Sequence, residues 1–207
     1  MYYKLEDIKR DIKELSAKDF YTKYIVRSEN WYIEKYLEKE DVSYFLDQYR
    51  LIVSEALGVS FNSVMMVGSG KLGYSLSLEM CGNESKLFKE FEVTGEKRKP
   101  SDIDIAIISN DIFSYYWRLF RREYSITNAV IYPRLAKEIY RGYINEKSIT
   151  DNDACRSEWV EKTKMANERL MSDLYFKQEV TYRIYRSWED FEEYNINSIK
   201  KIKEIMG

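Results

Sequence analysis

The residues best suited to chemistry form two short clusters. The first is the run 68–73, GSGKLG, which follows an apolar stretch, and the second is Asp102-Ile-Asp104, which opens another. A Gly-Ser turn after a strand exposes backbone N–H groups and a hydroxyl that bind phosphate oxygens. Two carboxylates at positions i and i+2 of a strand point to one side, about 7 Å apart. Mg²⁺ binds one or two such carboxylates plus substrate phosphates. Together the clusters predict a metal and phosphate site.

The run 68–73 also matches other glycine-rich patterns in part. A P-loop requires Ser or Thr after its Gly-Lys pair, whereas Leu72 follows Lys71 here. The run does contain GxGxxG, the dinucleotide-binding pattern, but that fingerprint opens a helix leading to a second strand that ends in an acid. In this chain a polar segment follows, and the acids precede their strand. A dinucleotide-binding protein is therefore retained only as the third hypothesis.

The composition narrows the chemistry further. The 207-residue chain contains no histidine, which excludes Ser-His and Cys-His nucleophiles and zinc sites that need imidazole. With 44% hydrophobic and 33% charged residues the chain is globular, and its net charge of -2 is not that of a protein that coats nucleic acid. Cys81 and Cys155 lie far apart and are expected to be reduced thiols of a cytosolic protein.

Hydrophobic periodicity predicts helices around a few short strands. Helices are expected over 4–57, ending at Gly58, and over 129–142 and 157–172, with two more after caps at Ser109 or Asn110 and at Ser187. Strands are expected at 63–67, 102–108 and 180–185. Residues 79–100, with at most one short element, and residues 145–156 are predicted to be loops.

The Gly-Ser turn and the Asp-x-Asp strand together resemble the DNA polymerase beta-like nucleotidyltransferase superfamily. In that family the Gly-Ser pair contacts nucleotide phosphates and the aspartates hold the metals. The resemblance covers residues 63–120 and implies that Gly68 and Ser69 bind the nucleotide, while Asp102 and Asp104 are catalytic metal ligands for Mg²⁺ or Mn²⁺. Lys71 is a further candidate phosphate contact, with a solvated loop lysine as the alternative.

The resemblance implies an α+β fold, with a small mixed β-sheet of nucleotidyltransferase type covered by several helices. Residues 1–60 would form a helical N-terminal region, and residues 61–207 the core with a C-terminal helix. Two features depart from the family. The segment 79–100 is interpreted as an insertion, and the third strand lacks the usual third carboxylate, because Arg183 stands where an acid is expected and Glu179 is only a weak substitute.

The activity implied is transfer of a nucleoside monophosphate from an NTP to a hydroxyl on an RNA end, a protein or a small molecule. A toxin–antitoxin or phage-defence role, with a protein partner, fits small members of the family. The alternative is a catalytically decayed module of the same fold that binds a nucleotide or a partner. No apolar stretch is long enough to span a membrane, so a cytoplasmic location and no membrane partner are expected.

Three further groups of residues have two interpretations each. The run 97–99, KRK, suits either a nucleic-acid backbone or a solvated loop. The aromatic run 115–117 is spaced for a helix core rather than a base-stacking platform. Arg183 and Arg186 suit either phosphates or pairing with nearby acids.

Overall fold

The computed structural model describes residues 3–81, 84–94, 100–124 and 129–207. Its centre is a four-stranded mixed sheet in the order β1-β4-β6-β5, formed by β1 (Val64–Val67), β4 (Ile103–Ile108), β6 (Val180–Tyr185) and β5 (Tyr143–Asn145). β1 runs antiparallel to β4, β4 parallel to β6, and β6 antiparallel to β5. β2 (Met80–Cys81) and β3 (Glu84–Ser85) form a separate hairpin. The expected α+β class is therefore confirmed, with one small mixed sheet.

Helices cover both faces of this sheet. They are α1 (Leu5–Glu14), α2 (Ala17–Phe20), α3 (Val42–Leu57), α4 (Gly68–Leu72), α5 (Asn110–Arg122), α6 (Tyr132–Tyr140), α7 (Glu146–Thr150), α8 (Asp153–Leu174) and α9 (Trp188–Met206), with π-helical turns at Tyr21–Val26 and Tyr32–Tyr36. Alternation along β4 separates two cores. Ile103, Ile105 and Ile107 pack in the core that includes α3, α5 and α8. Ala106 and Ile108 point to the other core, built from α1, α2 and α9.

The expectation of helices over residues 4–57 is confirmed in outline. Residues 5–57 are mainly helical, and Gly58 ends α3 in the left-handed conformation, with φ 66°. This region packs into both cores, because Ile52 of α3 lies in the first and Ile8 of α1 in the second. The helices therefore form the covering of the sheet on its two sides.

Other sequence-based expectations were wrong. Residues 145–156 are not a loop, because α7 and the first turn of α8 lie there and β5 ends there. The sequence of this stretch shows no clear apolar period, because two of its buried residues, Ser148 and Asn152, are polar and only Ile149 between them is apolar. The segment 79–100 contains two short strands rather than one element. Residues 97–99 lie outside the described ranges. The expectation that the run 115–117 belongs to a helix core holds only for Tyr116, which is 2% exposed.

Candidate functional site

Pairing of β1 with β4 brings the two predicted clusters together. Val67, the last residue of β1, is the register partner of Asp104, so Gly68 turns off the sheet beside that carboxylate. Gly68 has φ +68°, and a Cβ at this position would overlap Asp104 Oδ2 and lie 3.2 Å from its Cγ. A side chain is excluded here both by the backbone conformation and by the carboxylate. The Gly-Ser turn and the second aspartate therefore form one site.

A hydroxyl from β6 links the two aspartates. Thr181 is the register partner of Asp104 across the parallel β4–β6 pair. Its Oγ1 lies 3.2 Å from Asp104 Oδ1 and 3.5 Å from Asp102 Oδ2. Both carboxylates thus reach the same atom, as two acids at positions i and i+2 of a strand should. The sequence did not single out Thr181, because the parallel register that places it here is a tertiary feature.

The electrostatics of the pair are unfavourable without a cation. Burial, followed by the negative charge of Asp102, raises the pKa of Asp104 to about 6, although the charge of Arg183 and the Thr181 hydrogen bond oppose the shift. Burial and a like charge both disfavour the ionised form. A bound divalent cation would offset both burial and the like charge, so the two carboxylates favour binding of a cation.

Arg183 lies on the same face of β6 as Thr181, two positions further along. Its guanidinium lies over the rings of Tyr143 and Tyr194, 5.3 and 5.1 Å from their centroids. Nε donates to Asn145 Oδ1 and Nη1 to the Tyr194 hydroxyl, each at 2.7 Å. In the described ranges Arg183 forms no ion pair. It is therefore a cation held in place by neutral groups, and its charge acts on Asp104.

Arg186 and Glu179, which the sequence offers as further candidates for the site, lie elsewhere in the structure. Arg186 forms two hydrogen bonds with Asp190, at 2.7 and 2.8 Å. Of the two alternatives for this arginine, a phosphate contact or pairing with an acid, the structure therefore shows the second. Glu179 is exposed, and its backbone carbonyl accepts from Ile103 N at 2.8 Å. Neither side chain contributes to the contacts that join Asp104 to Thr181.

The structure brings Ser69 to the site but turns Lys71 away from it. Ser69 is partly exposed beside Gly68, and its hydroxyl makes no hydrogen bond in the described part of the chain. Lys71 is only 6% exposed, and its ammonium donates to the backbone carbonyl of Arg27. Burial, followed by the charge of Arg50, lowers the pKa of Lys71 to about 7. Its amine is thus committed to the protein interior.

An arm formed by residues 74–81 and 84–91 lies against the site. Its two sides are joined by backbone hydrogen bonds, such as Ser75 N to Lys89 O at 2.8 Å. Glu79 and Lys86 form an ion pair of 2.9 Å on this arm. The charge of Lys86 acts on Asp104, and Arg183 helps to lower the pKa of Glu79 after its hydrogen bond with Lys86. The predicted insertion therefore adds one carboxylate and one ammonium near the site.

These residues fit Mg²⁺ or Mn²⁺ as a partial ligand set. Asp102 and Asp104 supply hard oxygen donors, and Mg²⁺ completes its shell with water and substrate phosphates. Among the described residues no group of three or more acids or thiols is placed to hold a metal. The aspartate pair alone is therefore the candidate cation site, and substrate would have to supply further ligands.

Comparison of the chain with models of protein families, with curated proteins and with solved structures finds no match.

The hypothesis of a dinucleotide-binding protein conflicts with the fold. A dinucleotide fingerprint requires its strand to be followed by a crossover helix and a parallel strand. Here β1 is antiparallel to β4, and α4 has only five residues. No helix of the described residues is long and apolar enough to span a membrane.

Proposed function

We propose that this protein is a metal-dependent nucleotidyltransferase that moves a nucleoside monophosphate from an NTP to a hydroxyl acceptor. The observation that carries the proposal is the convergence of Asp102 and Asp104 on Thr181, directly beside the Gly68-Ser69 turn. Carboxylates in this arrangement hold Mg²⁺ or Mn²⁺, which in such reactions neutralises charge on the phosphates. Phosphoryl transfer asks the protein mainly for positioning and charge, and this site supplies both.

Each residue has a distinct part in the reaction. The Gly68-Ser69 turn holds phosphate oxygens through its backbone N–H groups and the Ser69 hydroxyl. Asp102 and Asp104 hold the cation, and Thr181 fixes the rotamers of both carboxylates. Arg183 adds positive charge next to the phosphates. The acceptor oxygen forms a bond to the α-phosphorus, and the bond from the α-phosphorus to the oxygen that bridges to the β-phosphorus breaks. Pyrophosphate leaves with the electron pair of that bond, and the hydroxyl proton is released to solvent.

A second function is favoured by one specific observation. The residue of β6 beside Asp104 is Thr181 rather than an acid, and no third carboxylate joins the pair among the described residues. An acceptor hydroxyl would then lack a positioned base. This arrangement suits a catalytically decayed module that binds a nucleotide or a protein partner through the same site.

Label transfer separates the two functions. The purified protein is incubated with Mg²⁺ or Mn²⁺ and each α-³²P-labelled NTP, in the presence of RNA and protein from the host. The double variant Asp102→Ala/Asp104→Ala is the control. Label that enters RNA or protein only with the intact aspartates supports the enzyme. Metal-dependent NTP binding without transfer supports the decayed module, and the absence of both rejects the site.

A further inference from the structure

The arm is anchored at both of its ends beside the proposed nucleotide site. Phe91 N donates to Gly73 O at 2.9 Å, and Gly73 ends the short helix α4 that begins with the Gly-Ser turn. Beyond the arm, Ser101 N donates to Glu92 O at 2.8 Å, and Ser101 directly precedes Asp102. The arm therefore starts near the turn proposed to bind phosphate, and the residue that follows it is bonded directly before the aspartates.

Apolar side chains hold the arm over one face of the sheet. Four of them are partly buried against the core that includes α1 and α9: Leu76, Leu78, Leu87 and Phe88. Ala106 of β4 points into the same core, and Asp104, two positions earlier, lies on the same face of that strand. The arm therefore lies on the side of the sheet to which the aspartate points.

One ion pair on the arm connects it electrostatically to the site. Glu79 Oε2 lies 2.9 Å from Lys86 Nζ, and Lys86 N donates to Glu79 O at 2.9 Å, so backbone pairing sets the two residues opposite each other. The charge of Lys86 acts on Asp104, and the charge of Arg183 acts on Glu79. Each member of the pair is therefore close enough to the site to act on one of its charged groups.

This ion pair is open to solvent. The Glu79 side chain is 73% exposed and that of Lys86 41%. An exposed pair of this kind contributes little to stability, so a more highly charged anion can displace the carboxylate. The hydrogen bond with Lys86, helped by the charges of Lys86 and Arg183, lowers the pKa of Glu79 against the effect of burial. Glu79 is thus a carboxylate stabilised by two cations near the proposed phosphate site.

We propose that Lys86 is a phosphate-binding residue of the nucleotide site and that Glu79 competes with the phosphates for its ammonium. The inference rests on the proposed function, because it names a further contact of the same nucleotide. Lys71, the lysine that the sequence offers for such a contact, donates to the backbone carbonyl of Arg27 instead. A triphosphate carries more negative charge than one carboxylate, so it should take the ammonium from Glu79. In a purely structural role, the pair would only join the two sides of the arm.

Calorimetry of the full chain with Mn²⁺ and a non-hydrolysable analogue of each NTP tests this inference. Lys86→Gln should lower the affinity for the best analogue about tenfold, through loss of a hydrogen bond to a charged group. Lys86→Arg keeps the charge and can bind phosphate, so it should retain the affinity within about threefold. Glu79→Gln should raise the affinity about threefold, because it removes the competing carboxylate. The two neutral variants thus act in opposite directions, which a structural pair would not produce.

Two lysines in other ion pairs serve as matched controls. Lys89 pairs with Glu84 at 2.9 Å on the same arm, and Lys164 pairs with Glu168 at 3.7 Å on α8. Lys89→Gln and Lys164→Gln should change the affinity for the analogue by less than about twofold, as ordinary surface substitutions do. Thermal unfolding of every variant checks that the fold is retained.

The outcomes separate this inference from the proposed function. If the wild type binds an analogue but Lys86→Gln binds it as well as Lys89→Gln does, or if Glu79→Gln weakens binding, the role of Lys86 is overturned and the nucleotide site remains. If the wild type binds no analogue, or binds it equally after Asp102→Ala/Asp104→Ala, both the nucleotide site and the role of Lys86 are overturned.

Discussion

Gly68 lies so close to Asp104 that the carboxylate fills the space a Cβ would need. The pairing of Val67 with Asp104 sets this closeness, and the positive φ of Gly68 lets the chain leave β1 at that point. Position 68 therefore requires glycine for two reasons, because a Cβ would clash with Asp104 and because φ is positive. The closeness also keeps the proposed phosphate-binding turn next to the proposed cation.

We expect Gly68→Ala to destabilise the fold by about 2–5 kcal/mol, the sum of left-handed strain and overpacking. It should also weaken Mn²⁺ binding, because Asp104 has to rotate away. Gly58→Ala is the matched control: Gly58 has φ +66° and nothing within 4 Å of the added Cβ. It should cost only about 1 kcal/mol. Urea denaturation gives both values, and equal costs would refute the close approach.

Asp104→Asn should stabilise the metal-free protein at neutral pH. The pKa of Asp104 is about 6 in the folded chain against an ordinary 3.8. The stability that its protonated form contributes is complete below pH 3.8 and is lost as the pH rises through 6. At pH 7.5 with chelator, the variant should gain about 3 kcal/mol in free energy of unfolding, and the gain should vanish near pH 4.

Magnesium supplies the control for this prediction. Added Mg²⁺ should stabilise the wild type and leave Asp104→Asn nearly unchanged, because only the former keeps both ligands. A variant less stable than the wild type at pH 7.5 in chelator would show that Asp104 is satisfied by its protein neighbours alone.

Lys71→Met should flatten the pH dependence of stability on the alkaline side. The pKa of Lys71 falls from 10.5 to about 7 on folding. A depressed pKa means that stability is lost as the pH drops from 10.5 towards 7, because the unfolded chain takes up the proton more readily. The wild type should therefore gain stability between pH 7 and 10 relative to the variant. Parallel curves would mean that the amine stays charged in the interior.

Arg183→Gln should raise the KM for the nucleotide at least about tenfold, as expected for loss of a charge-assisted contact with phosphate. Arg186→Gln is the control, since Arg186 is paired with Asp190. Steady-state kinetics give KM, and pyrophosphate binding followed by calorimetry gives the same comparison without turnover. If the two variants bind pyrophosphate equally, Arg183 is only a counter-ion for Asp104.

The sequence was sufficient for the elements that local pattern controls. The strand 180–185 was predicted with its observed bounds, and the helix end at Gly58 and the cap at Ser187 were also correct. The Ser187 hydroxyl accepts from Asp190 N at 3.2 Å, as a cap should. In each case neighbouring residues determine the outcome.

Features that depend on register could not be predicted in this way. Thr181 became part of the site only through the parallel pairing of β6 with β4, and the three-residue β5 is too short to show a period. Lys71 was expected to be a phosphate contact or a solvated loop lysine, because nothing nearby in sequence shows that the carbonyl of Arg27, 44 positions earlier, accepts its hydrogen bond. Tertiary contacts decided all three.

The central claim is that Asp102 and Asp104 hold a divalent cation for nucleotide phosphates. Electron paramagnetic resonance of free Mn²⁺ tests it most directly, by titration of the protein with and without a non-hydrolysable NTP analogue. The account predicts that Mn²⁺ binds to the wild type more tightly when the analogue is present, and that Asp102→Asn/Asp104→Asn abolishes this binding. Equal Mn²⁺ binding by the wild type and the double variant would contradict it.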